Sequence, residues 1–317
     1  MNIAICTDSS AGISQIEAHE LGIRVIGMPY LLDGVTYYEA GMGETGSLNM
    51  QAQLTREEFF AQVEKSQTIS TSMPTPGDIM DVWDDLLSKN DVVLYVSMSS
   101  GLSGTYQAAH MLSLEDDYAG HVFVIDSRGV SVTERQMVLD VHTLAHNGFT
   151  PEEICRWAKQ SAGTGSIYIS LQTLSLLKKG GRITPAAAAL GSMLRIRPVL
   201  SLMDGGRLDS CATARNMAQS KVRMLHFIQE DLNEKFHDGS AAACQFAIAY
   251  SDDREAAYAF ADQIRAAFPN RNPVEIILQE LPTNLCCHIG PGGLGIGVWR
   301  IMDITRVRHE LECREAS

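Results

Sequence analysis

Three clusters of hydroxyl-bearing residues follow short apolar stretches in this chain: Thr7-Asp8-Ser9-Ser10, the run Ser97-Met98-Ser99-Ser100-Gly101-Leu102-Ser103-Gly104-Thr105, and Asp126-Ser127. In an open parallel sheet, ligands collect beyond the carboxyl ends of the strands, where loops present polar groups. The middle run leads into a helix predicted to begin near Ser103. Free backbone N–H groups and the helix dipole therefore face whatever lies there, an arrangement that suits an anion. Ser103 reads as the cap of that helix, and Ser99 and Ser100 as hydroxyls available to a ligand. A fourth cluster, Ser70-Thr71-Ser72-Met73-Pro74-Thr75-Pro76-Gly77-Asp78, is stiffened by two prolines. It offers Thr71 and Ser72 as hydrogen-bonding hydroxyls, with Thr75 placed to cap the helix after it.

His288-Ile289-Gly290-Pro291-Gly292-Gly293-Leu294-Gly295 contains the string G-x-G-x-x-G. A dinucleotide fingerprint needs a helix after its glycines and an acidic residue about 20 positions on. Here an apolar, strand-like stretch follows instead, so these glycines serve close backbone approach, with His288 at the edge as a ligand contact or a structural residue. No G-x-S-x-G elbow, H-E-x-x-H or P-loop occurs. Asp116-Asp117 and Asp252-Asp253 read as helix caps or solvent-facing pairs.

Strands alternating with helices position these clusters. Strands are predicted at Asn2–Cys6, Ile23–Met28, Asp91–Met98 and His121–Asp126, and helices at Ser14–Glu20, Arg56–Lys65, Asp78–Lys89, Val132–His146 and Pro151–Gln160. Pro29 to Gln53 reads as irregular. Thr55 with Glu58, and Thr150 with Glu153, form capping boxes. This alternation predicts a mainly parallel sheet covered on both faces. Beyond Gly163–Gly165 the pattern changes. Strands are predicted at Ser166–Leu171, Ile196–Leu202, Arg207–Ser210, Gln245–Tyr250 and Val274–Leu278, with helices at Pro185–Leu194, Arg215–Glu234 and Arg254–Phe268. Met203-Asp204-Gly205-Gly206 signals a hairpin. The expected architecture is a two-domain α/β protein, with a parallel-sheet domain over residues 1–164 and a mixed or antiparallel sheet with helices over 165–317.

The chain has 317 residues with 45% hydrophobic and 20% charged content, which suits a packed globular protein of about two domains. Its net charge of -13 argues against nucleic acid as a main partner. No apolar run approaches the ~20 residues of a membrane span, and the N-terminus does not read as a secretory signal. Seven dispersed cysteines without metal-ligand spacing suggest a reduced, cytoplasmic protein with no metal site. From Ile154 to Met203 there is no Asp or Glu, whereas Arg156, Lys159, Lys178, Lys179, Arg182, Arg195 and Arg197 fall there. The stretch is either a solvated basic face or a docking surface for an acidic partner.

Taken in order, the motifs resemble the DegV family of bacterial proteins. The matching pieces are Cys6 to Ser10, Thr71 to Asp78, Ser99 to Tyr106, Asp126-Ser127, Leu177 to Ile183, Ile196 to Leu200, and His288 to Gly297. The resemblance implies a two-domain α/β protein that holds a long-chain fatty acid between its domains, without a further cofactor. It also implies the lipid-carrying component of a fatty acid kinase, presenting the carboxylate to a separate ATP-dependent subunit for phospholipid synthesis. On that basis Thr71, with Ser72 beside it, and the Ser99-Ser100 pair would bind the carboxylate, with His288 next to them. Lys179 and Arg182 would dock the kinase. Two features depart from the family: Met73 stands where Gln is usual, and Gly41–Gln53 lengthens an early loop. The alternatives are a serine-dependent acyl hydrolase or transferase, for which no His–acid pair can be matched to the serines, and a lipid-sensing regulatory module. The small residues Ala186, Ala187, Ala188, Ala189 and Gly191 either line an acyl tunnel or serve close helix packing.

Overall fold

The computed structural model describes residues 1–39, 54–185, 196–203, 205–268 and 275–315. The helix expected over Pro185–Leu194, apart from Pro185, falls outside them, as do Gly41–Gln53, Arg195 and Asp204. The first sheet is all parallel, in the order β2 (Ile23–Ile26), β1 (Ile3–Asp8), β6 (Val92–Ser97), β7 (Val122–Asp126). One face packs on α3 (Pro76–Leu87) and α4 (Thr105–Leu112), through Ile79, Trp83, Tyr95 and Ala109. The other meets α1 (Gln15–Leu21), α5 (Val132–His146) and α6 (Pro151–Ser161), through Ala18, Val138, Val141 and Ile154.

The second sheet has six strands, in the order β10 (Leu208–Ala214), β9 (Arg197–Leu202), β8 (Ser166–Ser170), β13 (Leu294–Arg300), β11 (Cys244–Tyr250), β12 (Ile276–Glu280). Its pairings are antiparallel except β11 with β12. The chain therefore folds as a mixed α/β protein with one parallel and one mixed sheet. Two amphipathic helices, α8 (Met217–Glu234) and α9 (Arg254–Ala267), cover one face with Met224, Ile228, Phe260 and Ile264. The last helix, α11 (Ile304–Glu315), returns to the first sheet's core through Val307 and Leu311.

The opposite face of the second sheet is covered by several short pieces, of which the sequence revealed the helix at Arg56–Lys65 and the start of that at Val132–His146. A small antiparallel sheet runs β4 (Val35–Tyr37), β3 (Tyr30–Leu32), β5 (Ile69–Thr71); its first two strands lie within the region read as irregular. Beside it lie α2 (Arg56–Lys65), α7 (Ser175–Gly180) and α10 (Thr283–Ile289), together with Val132 at the start of α5. The capping boxes at Thr55/Glu58 and Thr150/Glu153 are present, and Thr75 forms a third with Asp78. The strand expected at Val274–Leu278 is observed at Ile276–Glu280.

Thr7-Asp8-Ser9-Ser10 is a structural knot, with all four residues at most 1% exposed. Asp8 accepts the Met98 N–H at 3.1 Å and the Ser10 N–H at 3.0 Å, tying the ends of β1 and β6. Ser9 Oγ accepts the Met28 N–H at 3.0 Å. The Ser10 hydroxyl lies between Asp8 and Glu134 of α5, 2.7 Å from Glu134 Oε2. Two carboxyl groups so placed, without a cation, cannot both ionise. Burial first, and then the charge of Asp8, holds the Glu134 carboxyl well above its usual range near 4.5. The folded protein thus keeps a proton that the unfolded chain releases, and this contribution to stability fades as pH rises above about 4.5. Glu134→Gln keeps a neutral group there without a proton to lose. Wild-type stability relative to this variant should fall as pH rises from 5 to 9 in urea unfolding; parallel curves would contradict the shared proton.

Candidate functional site

A cavity of about 90 Å³ lies between the first sheet's carboxyl edge and the inner face of the second sheet. That is room for about six to nine water-sized spheres. Met28 and Met98, just beyond strands of the first sheet, bound it together with strand residues of the second sheet and Thr71 of the small third one. Most of the wall is apolar: Val132, Ile167, Ile169, Leu208, Leu281 and Ile296 are representative.

Its polar end is assembled from three distant segments. β5 holds Thr71 through antiparallel pairing opposite Tyr30, and Ser72 N–H donates to the Pro29 carbonyl at 3.0 Å. α10 carries His288, 9% exposed, whose Nε2 lies 2.8 Å from Thr71 Oγ1. Arg182, two residues beyond α7, enters from the third side and donates through Nη1 to the Gly180 carbonyl. Burial, assisted by the Arg182 charge, pushes the imidazole down to about 4. His288 is therefore neutral near pH 7. With Nε2 carrying the hydrogen, the ring donates to Thr71 and leaves the threonine proton free for a ligand. Among the described residues no Asp or Glu lines the cavity. A neutral imidazole, a hydroxyl and an always-charged guanidinium make this end a receptor for one negative charge.

The structure brings Thr71, Ser72, His288 and Arg182 to the cavity, with Ser72 exposed at the mouth beside Met73. Ser99 and Ser100 are not among the residues that bound it. Ser99 is fully buried and its hydroxyl donates to the Gly206 carbonyl at 2.9 Å, fastening the β9–β10 turn to the first sheet. Ser100 N–H donates to Asp126 at 3.1 Å. Ser103 does line the cavity, and its Oγ accepts the Thr105 N–H at 3.3 Å, although Gly104 is the capping residue of α4. Lys178 and Lys179 are exposed at the end of α7, whereas Arg182 belongs to the cavity as well as to the basic stretch.

Two supports escaped sequence reasoning. Glu39 Oε1 accepts the N–H of Thr283, the first residue of α10, at 2.8 Å, and burial raises its carboxyl to about 7. Helix α10 itself is bracketed by Pro282 and Gly290, the signal that would have revealed it. Gly180 supplies the surface against which the imidazole lies: a Cβ there would come within 2.7 Å of His288 Cε1.

The fold and site define an α/β protein with a mostly apolar cavity that carries an anion-receptive polar cluster. The chain belongs to the DegV family: a model described as "Uncharacterised protein, DegV family" matches residues 2–300. A DegV domain-containing protein of Clostridium perfringens is 25% identical over 295 residues, covering 92% of this chain and 95% of that protein. A Thermus thermophilus structure, described as fatty acid binding of a DegV family protein, superposes with a TM-score of 0.81. It is 27% identical and covers 95% of this chain and all of that one. A Bacillus subtilis structure, described as DegV, a fatty acid binding protein, shares the fold at 24% identity and a TM-score of 0.76, covering 94% of this chain and 99% of that one.

Gly180→Ala should displace the His288 ring and break its bond to Thr71. In the folded variant the imidazole should titrate well above 4, towards its ordinary 6.5, when followed by NMR of the ring protons. A ring that still titrates near 4 would show that Gly180 does not set its position.

Proposed function

We propose that the protein is a non-catalytic carrier that binds a long-chain fatty acid and presents its carboxylate to a separate ATP-dependent kinase subunit. That subunit would form the acyl phosphate for phospholipid synthesis in the cytoplasm. The observation that carries the reading is the cavity itself: a mostly apolar space whose wall also holds Thr71, His288 and Arg182. A fatty acid has the matching chemistry, an apolar tail with one charge at one end. Its carboxylate would accept from the Thr71 hydroxyl and the Arg182 guanidinium, each such bond contributing about 1.5–3 kcal/mol. The tail gains about 0.8 kcal/mol for each methylene buried. The T. thermophilus relative described as fatty acid binding supports the same assignment.

A hydrolase is the second reading, because a hydroxyl 2.8 Å from an imidazole resembles a nucleophile and its base. Against it, no carboxylate among the described residues lines the cavity to orient the imidazole, and a ring held near pKa 4 is a weak base at neutral pH. Denaturing mass spectrometry of the purified protein, paired with an esterase assay, separates the two. The carrier reading expects co-purified free fatty acid and no turnover; turnover lost in Thr71→Ala would establish the enzyme instead. Thr71→Ala should weaken fatty acid binding at least about tenfold, on the loss of one charge-assisted hydrogen bond. Ser100→Ala should leave binding unchanged, and equal losses in the two variants would refute this clamp.

The exposed Lys178 and Lys179, next to the Arg182 end of the cavity, are the proposed docking surface for the kinase. Because Arg182 also serves the cavity, Lys178→Glu with Lys179→Glu is the cleaner test. Acid binding should be retained, while phosphorylation by the cognate kinase slows and becomes less sensitive to salt. A normal rate at low ionic strength would exclude this surface.

A further inference from the structure

Asn284 is 3% exposed and forms part of the cavity wall among Met28, Met98, Leu281 and Leu285. Its Nδ2 lies 3.3 Å from Met28 Sδ, a weak acceptor, and its Oδ1 has no hydrogen-bond partner among the described residues. Turning the amide over would only exchange which of the two polar atoms is left short. The first N–H of α10 is met by Glu39, and among the described residues the amide makes no bond to the backbone. A buried amide left unsatisfied is costly, and a leucine would fill the same place without that cost.

We propose that Asn284 is a ligand contact and selects acids that carry a hydroxyl group near the carboxyl end. This rests on the fatty acid reading above and specifies the class of acid. A methylene satisfies neither half of an amide, and a carboxylate only accepts. A hydroxyl both donates and accepts, so it meets the orphaned atom in either orientation of the side chain. Asn284 sits four residues before His288 on the same face of α10, about 6 Å along the helix. An acid whose carboxylate is held at Thr71 and Arg182 therefore passes its first few carbons along Asn284.

Calorimetric titration of the lipid-free protein with 3-hydroxyhexadecanoic acid and with hexadecanoic acid tests this. Wild type should bind the hydroxy acid about tenfold more tightly, on the scale of one buried hydrogen bond made rather than left unmade. Asn284→Leu should abolish that preference, so that the ratio of the two affinities falls to about one. Asn284→Val gives the same comparison if the leucine variant does not fold. Equal affinities of wild type for the two acids, or an unchanged ratio in the folded variants, would overturn the role of Asn284 with the carrier reading intact. Failure of wild type to bind either acid would remove the carrier reading and this inference together.

Discussion

The hydrogen bond between Thr71 and His288 is the constraint on which the rest of the site depends. It joins residues 217 positions apart, one on a three-residue strand and the other on a seven-residue helix. Neither element is stable alone, because a strand or helix of that length makes few internal hydrogen bonds. Each is held by something else. Tyr30 fixes the register of Thr71, Glu39 caps the helix that carries His288, and Gly180 leaves room for the ring. The second sheet supplies the platform beneath all three, with its inner face packed against Tyr30, Leu177 and Cys286. The small sheet and the short helices are thus the scaffold of the polar end.

The electrostatics follow from that packing. Burial beside Arg182 keeps His288 neutral, so the imidazole can orient a hydroxyl without adding a second positive charge. Arg182 alone then sets the sign of the site, and the absence of lining carboxylates among the described residues leaves that charge unanswered inside the cavity. Elsewhere the protein buries charge differently. Asp8 and Glu134 share a proton through Ser10 and knit α5 to the first sheet, and α5 begins at Val132, which touches the cavity. The structural cluster and the ligand end therefore meet on one helix.

Much of this architecture was legible in the sequence because its long elements carry strong local signals. Two capping boxes, the cap at Thr75 and the apolar strands β1, β6 and β7 stand where their residues predicted them. The short elements were not legible. Asp33-Gly34, with φ of 49° and 83°, is a hairpin turn, but strands of three residues give too little alternation to be recognised. Thr71 and His288 could be singled out by residue type, yet only the tertiary fold shows that they touch. Ser99 is ambiguous for a physical reason: a hydroxyl at a strand end can serve a ligand or a neighbouring turn, and in this structure it donates to the Gly206 carbonyl. Arg182 was read from local charge and the family motif as a docking residue, and the turn after α7 places it in the cavity wall. Asn284 gave no sequence signal, since an amide in an apolar stretch becomes unusual only once its burial is known.

A crystal structure of the protein with the lipid it retains through purification tests the central claim most directly. The account places the carboxylate within hydrogen-bonding distance of Thr71 Oγ1 and near the Arg182 guanidinium, with the tail running past Val132 and Ile169 towards Ile296. A carboxylate found at Ser99 and Ser100, or a lipid lying outside this cavity, would contradict it.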